Sequence, residues 1–275
     1  MSKSERKDTQ VQRMSDLEIL AGLRLMDDDF FSEALDGRKE AVQFILNTVL
    51  ERSDLEVIQT QTQRSYRSAS RHSISLDIWA RDKEGRIADI EIQRADKGTG
   101  AKRARIHSSM MDRNILEKGQ GYDALAETYV ILITQNDKYR AGLPVYHIDR
   151  MIQELDDQPF GDEAHILYVN GEFQDLNHPI GRLVHDLWCT SADDMLNRVL
   201  ADEVRYMKET NEGRTYMCEV MEKMREESEA RGVALGEMRK LYDLVRKGLL
   251  SLSVAAAEAG QSEAGFKAGM DAYSA

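Results

Sequence analysis

Apolar residues recur along this chain in two rhythms. Over residues 37–51, Val42, Ile45, Leu46, Val49 and Leu50 fall at helical spacing, with Glu40, Gln43 and Asn47 on the other side. That pattern predicts a helix with one buried face. Residues 15–35 form a leading segment with an acidic and aromatic element, Asp27-Asp28-Asp29-Phe30-Phe31. Leu55 to Thr60 predicts a strand. Gln61 to Arg71 is polar and carries Arg64, Arg67 and Arg71 without an acid, which suits a loop or an exposed edge.

The sharpest pattern follows. Ile74, Leu76 and Ile78 alternate with Ser73, Ser75, Asp77 and Trp79. After Asp82-Lys83-Glu84-Gly85, Ala88, Ile90 and Ile92 alternate with Asp89, Glu91 and Gln93. Two period-two runs around a glycine-containing turn predict a β-hairpin. A three-residue loop, Lys83-Glu84-Gly85, puts Gly85 at the left-handed position that glycine favours. Asp82 then pairs with Arg86 and, counting outward, Asp77 with Glu91.

A basic helix is expected at about 101–118, with Ile106, Met110 and Ile115 on its buried side. Tyr129 to Thr134 is strongly apolar and predicts a central strand. Further strands are expected at Pro144–Asp149 and Ala164–Asn170. From about 191 to 231 the chain is helical and charge-rich, and a shorter helical pair, 236–248 and 253–270, follows.

Composition narrows the function classes. A 41% share of hydrophobic residues supports a real core. The longest apolar run, Tyr129 to Ile133, is far below the ~20 residues of a membrane helix. Met1 to Arg13 is polar, without the apolar stretch of a secretory signal. The expectation is a cytoplasmic protein with no membrane partner. Cys189 and Cys218 form no C-x-x-C pair, and the histidines show no zinc spacing. The net charge of −12 argues against a nucleic-acid partner until its distribution is read. Residues 61–118 hold 13 basic and 8 acidic groups and are net positive, while both flanking segments are net negative. Only this middle segment attracts a polyanion.

The hairpin and the positive segment coincide. Directly opposed Cβ atoms lie about 4.5–5.5 Å apart, so Asp77 and Glu91 face each other closely. Gln93 shares their face. Two opposed carboxylates repel unless a cation lies between them. Their hard oxygens suit magnesium, which polarises a phosphate and acidifies a water. The plainer reading is that these polar residues form the solvated face of an antiparallel hairpin.

The run Ser75-Leu76-Asp77-Ile78-Trp79-Ala80-Arg81-Asp82, then Gly85, then Ile90-Glu91-Ile92-Gln93, resembles the recombination-promoting (Rpn-type) branch of the PD-(D/E)XK nuclease superfamily. Phe44 to Leu50 resembles the family's helix before the first strand. Lys102 to Leu116 resembles its arginine-bearing helix, and Gly121-Tyr122 with Tyr129 to Thr134 its next loop and strand. The similarity spans roughly residues 25–150. It implies an α/β restriction-endonuclease-like core, a mixed central sheet flanked by helices, with a helical C-terminal extension. Carried over, Asp77 and Glu91 are the acidic positions and Ile92 offers its backbone carbonyl to the metal. Gln93 stands where the wider superfamily has lysine but where this branch has Glu-x-Gln, and Leu76 stands where the superfamily has proline. Glu40 matches an acidic residue that some members place on the first helix. The helix after the motif usually carries aromatics after its arginine; here the sequence is Arg105-Ile106-His107-Ser108.

These readings give a nuclease-like domain over 15–190 and a helical extension over 191–275. The expected activity is Mg2+- or Mn2+-dependent cleavage of DNA phosphodiester bonds, linked to recombination or a mobile element. Asp77, Glu91 and Gln93 are its catalytic set, and Arg64, Arg67, Arg71, Lys102, Arg103 and Arg105 its DNA contacts. The alternative is a non-catalytic DNA-binding or scaffold protein on the same fold. The terminal helices suit homo-oligomerisation better than DNA reading, because they lack a basic recognition helix.

Overall fold

The apolar run expected to be central is the middle of a six-stranded mixed sheet. In this computed structural model, residues 14–66, 74–94, 100–116 and 119–273 are described. The strands are β1 (Val57–Tyr66), β2 (Ile74–Asp82), β3 (Ile87–Gln93), β4 (Thr128–Thr134), β5 (Val145–Ile148) and β8 (Ala164–Asn170). They lie in the order β1-β2-β3-β4-β8-β5, and β6 (Met151–Ile152) pairs with β7 (Gln158–Pro159) apart from them. β3, β4 and β8 run parallel, and β1, β2 and β5 pair antiparallel to their neighbours. Parallel strands are covered on both faces, which explains the unbroken apolar β4 and its complete burial.

Helices cover the sheet. α1 (14–22) and α2 (Asp28–Leu35) lead into α3 (Lys39–Val49), which buries Ala41, Val42, Ile45, Leu46 and Val49. Leu46 and Leu50 border a small cavity with Ala80 and Ala88, which places α3 on one sheet face. α4 (Ala101–Ile115) covers the other, its Ala104 and Met111 packed with Trp79, Val130, Leu132 and Tyr168. α5 (Pro179–Trp188) and α6 (Arg198–Glu209) contact α3, and α6 also contacts α2. α7 (Asn211–Arg246), α8 (Leu252–Glu258) and α9 (Glu263–Ala272) end the chain. It divides into two compact units, one running through Arg214 and one from Thr215. The first takes in α6, beyond residue 190. In the second, Tyr242 of α7 packs with Ala255, Ala256 and Phe266. Among the described residues no helix is long and apolar enough to cross a membrane.

The hairpin register is the one read from the sequence. Ile78 pairs with Ile90, Trp79 with Asp89 and Ala80 with Ala88, and Gly85 has φ +92°. Gln61–Tyr66 continues β1 as an edge strand, the exposed-edge alternative for this polar stretch. Several other local expectations need correction. Ile106 is exposed, because the buried face of α4 is Ala104, His107, Ser108 and Met111. The segment 236–246 belongs to the single long α7, and 253–270 breaks into α8 and α9 at Gly260, φ +61°. α5 was not foreseen, although Pro179 at its first turn and the His178 cap mark its start.

Candidate functional site

The β2–β3 ladder ends at Ile78–Ile90, yet both strands run on. Past that point side chains replace backbone partners. Asp77 N–H donates to Glu91 Oε1 at 3.0 Å, and Ile92 N–H donates to Asp77 Oδ2 at 3.2 Å. Asp77 thus satisfies the Ile92 N–H that the open ladder would leave bare, and Glu91 takes the Asp77 N–H. In a strand the N–H and C=O of one residue project to the same side. The Ile92 carbonyl therefore faces the Asp77 side, while Gln93 turns its carbonyl toward β4 and accepts from Gln135 N–H at 2.9 Å.

The solvated-face reading does not hold. Glu91 and Asp89 are fully buried and Asp77 is 8% exposed, because α4 covers this face of the sheet. Burial first, then the charges of Glu91 and Asp28, pushes Asp77 up to about 9. Burial and then Asp89 push Glu91 up to about 8, against the opposing pull of His107 and Arg103. Asp89 stands well above the usual carboxylate range, from burial and then Asp77. Burial lowers His107, whose Nδ1 lies 2.9 Å from Asp89 Oδ2 and 3.5 Å from Glu91 Oε1. Asp28, at the start of α2, is raised by burial and then Asp29, and shares a hydrogen bond with Asp77.

So many buried acids in one place cannot all be ionised without a cation. Two observations fit a metal here. Glu91 Oε2 and Asp89 Oδ1 are buried with no hydrogen-bond partner among the described residues, and the Ile92 carbonyl faces the same gap as Asp77. Asp89, Glu91 and His107 also bring ligand atoms within 4.8 Å of one another. A second such group, His185, Asp186 and Cys189, has a structural task. Both Asp186 oxygens accept backbone N–H groups, from Leu196 and Asn197 at 2.7 Å each.

The other expected residues divide. Arg103 reaches the site, 3.5 Å from Glu91 Oε2, and Gln93 is half-buried at its rim. Lys102 and Arg105 are exposed on other sides of α4. Arg64 stacks its guanidinium on Trp79 at 3.9 Å. Arg67 and Arg71 lie outside the described residues. Glu40 is exposed on α3, and the charge it influences is Glu203 of α6. The helix-borne acid beside Asp77 is Asp28 instead.

Sequence reasoning missed Asp28, Asp89 and His107 as members of the site. Asp89 was visible, two residues before Glu91 on the same face, and His107 follows Arg103 by one helical turn. Asp28 had only the acidic run around it as a signal.

No curated protein and no solved structure shows significant similarity to the chain. The profile of the family described as PD-(D/E)XK nuclease family transposase matches residues 30–247, more than half of the chain. The matched span contains the split hairpin, Asp77, Glu91 and Gln93, α4 and the parallel strands, and on that match the chain belongs to the PD-(D/E)XK nuclease family transposases.

Proposed function

We propose that the chain is a divalent-metal-dependent DNA endonuclease whose site is Asp77, Glu91 and Gln93. The observation that carries this reading is the pair of buried carboxyls, Asp77 and Glu91, held across the split between β2 and β3 with raised pKa values. Asp77, Glu91 and the Ile92 carbonyl would hold Mg2+ or Mn2+, whose donor preference is for oxygen. When bound, the ion supplies Lewis-acid polarisation of the phosphate and lowers the pKa of water.

The chain's own residues do the rest. The strand backbones fix the carboxyls in place before substrate binds. Gln93 carries no charge at any working pH. Its amide can hold a water in line by donating and accepting hydrogen bonds, but cannot take its proton. Arg103, half-exposed beside Glu91, meets a phosphate oxygen, and Lys102 and Arg105 extend the positive surface along α4. Its family suggests a role in recombination or mobile-element movement.

Nicking of supercoiled plasmid, with Mg2+ or with EDTA, tests the reading. Nicks are expected only with the ion, and Asp77→Asn should abolish them. The non-catalytic alternative is favoured by Gln93, which leaves the site without the superfamily's lysine charge. DNA retention without nicking under Mg2+ or Mn2+ would select it.

A further inference from the structure

Gln63 sits in the middle of β1 with φ +49°, a left-handed backbone that glutamine seldom adopts within a strand. Its neighbours pair normally with β2, Thr62 with Ile78 and Arg64 with Leu76. The register resumes unshifted, so no residue is inserted; one pair alone is missing, Gln63 with Asp77. Asp82 N–H points to β3, where it meets the Arg86 carbonyl. Alternate residues of β2, Asp77 among them, therefore direct their N–H groups toward β1. The partner expected for Asp77 N–H is the Gln63 carbonyl. The left-handed turn takes that carbonyl away, and the N–H goes to Glu91 Oε1.

The Gln63 side chain is also committed. Its Nε2 donates to Ser32 Oγ of α2 at 3.1 Å, and its Oε1 accepts from Ser75 Oγ of β2 at 3.3 Å. Ser32 is buried and stands one helical turn after Asp28, on the same side of α2. Next to it, Thr62 donates through N–H and Oγ1 to Asp36, just past the end of α2.

We propose that Gln63 is a positioning residue for the acidic site. Its backbone turns Asp77 N–H off β1 and onto Glu91, and its amide holds α2, with Asp28, beside Asp77. Strained backbone persists where surrounding bonds over-determine it, and here those bonds tie Gln63 to Ser32, one turn after Asp28, and to Ser75, two residues before Asp77. The metal readout of this inference rests on the function proposed above; the spectroscopic readout does not.

Three variants separate backbone from side chain. Gln63→Gly accepts the left-handed turn and loses the amide. Gln63→Val loses the amide and favours extended strand. Gln63→Asn tolerates the turn and keeps a shorter amide. Mn2+ affinity of the full chain is measured by calorimetry beside thermal melts. Gln63→Val should melt above Gln63→Gly, because valine suits a strand. Its Mn2+ affinity should nevertheless be the lowest, about tenfold or more below wild type. Gln63→Asn should stay close to wild type. In the metal-free protein, the NMR amide resonance of Asp77 should move in Gln63→Val and stay in Gln63→Gly. Affinities that follow the melting order, or an Asp77 resonance unmoved in Gln63→Val, overturn the proposal. A wild type that binds neither Mn2+ nor Mg2+ removes the metal site, and the Asp77 resonance still decides the role of Gln63.

Discussion

The Asp77 carboxyl has two opposing effects on the fold. It crowds Glu91 and Asp28, and it accepts the Ile92 N–H. Repulsion alone would predict that any removal of Asp77 stabilises the metal-free protein; the hydrogen bond divides that prediction. Asp77→Asn keeps an acceptor and loses the charge, so it should melt above wild type in EDTA at pH 8. Asp77→Ala leaves a buried N–H unpaired, at a cost of about 1–3 kcal/mol, and should melt below Asp77→Asn. The pH dependence has a definite sign. Asp77 rises from 3.8 to about 9 on folding and Glu91 from 4.5 to about 8, so the folded state binds the extra protons. Stability from these groups is full below about pH 4 and is lost as pH rises through 8 to 9. Melts of wild type in EDTA from pH 5 to 9 should fall more steeply than those of Asp77→Asn; equal slopes would mean that the pair does not hold its protons. At Gln93 the expected loss is in turnover. Gln93→Ala should slow single-turnover nicking while calorimetry finds Mg2+ affinity close to wild type, and undiminished nicking would take the amide out of the reaction.

At the scale of elements, what was legible in the sequence was local. The β2–β3 register follows from a glycine that needs φ > 0 and a loop of fixed length, both encoded within a few residues. The opposition of Asp77 and Glu91 follows from that register by counting. Their burial was not legible, because it depends on α4 returning over the sheet and on β4 pairing from far along the chain. Asp28 was hidden for the same reason: helical periodicity places it on a helix face and does not say which strand that face meets. α4 shows how one element serves two ends. His107 faces inward and bonds Asp89, while Arg103, one turn earlier, lies half in solvent beside Glu91. His107→Ala removes the partner of Asp89 Oδ2 and opens space under the helix, so a loss of about 1–3 kcal/mol is expected in denaturant melts. Arg103→Ala should fold normally and bind DNA more weakly. If Arg103 contacts one phosphate, the slope of log affinity against log salt should flatten by about 0.9, similarly for unrelated sequences. A loss confined to one sequence would make Arg103 a base reader.

At the scale of the whole first unit, the leading helices must be held on the sheet for Asp28 to reach Asp77, and Lys208 of α6 contributes to that hold. Its ammonium donates to the carbonyls of Ala21 at 3.1 Å, of Leu23, and of Thr190 at 2.6 Å, and it lies 5.3 Å from the centre of the Phe30 ring. An ammonium has three protons to give, and three carbonyls from two separate stretches of chain take them. None of this was readable in advance, since a lysine on a charge-rich helix reads as a solvated residue. Burial lowers Lys208 from 10.5 to about 8, only partly offset by Asp27. A lysine depressed on folding binds its proton less well in the folded state than in the unfolded one. The stability it contributes therefore rises as pH climbs from about 8 to 10.5, the reverse of the carboxyl pair. Lys208→Met keeps the length of the side chain and removes the donors, leaving three carbonyls without them. It should melt below wild type at pH 7. The gap between the two proteins should widen through pH 8 to 10, because subtracting one melt from the other cancels the acidic site and leaves Lys208. A constant gap would mean that Lys208 stays charged throughout, its three carbonyls compensating for burial. The same variant should weaken Mn2+ binding only if the leading helices shift Asp28, so unchanged affinity with a lowered melting temperature would confine Lys208 to holding the fold.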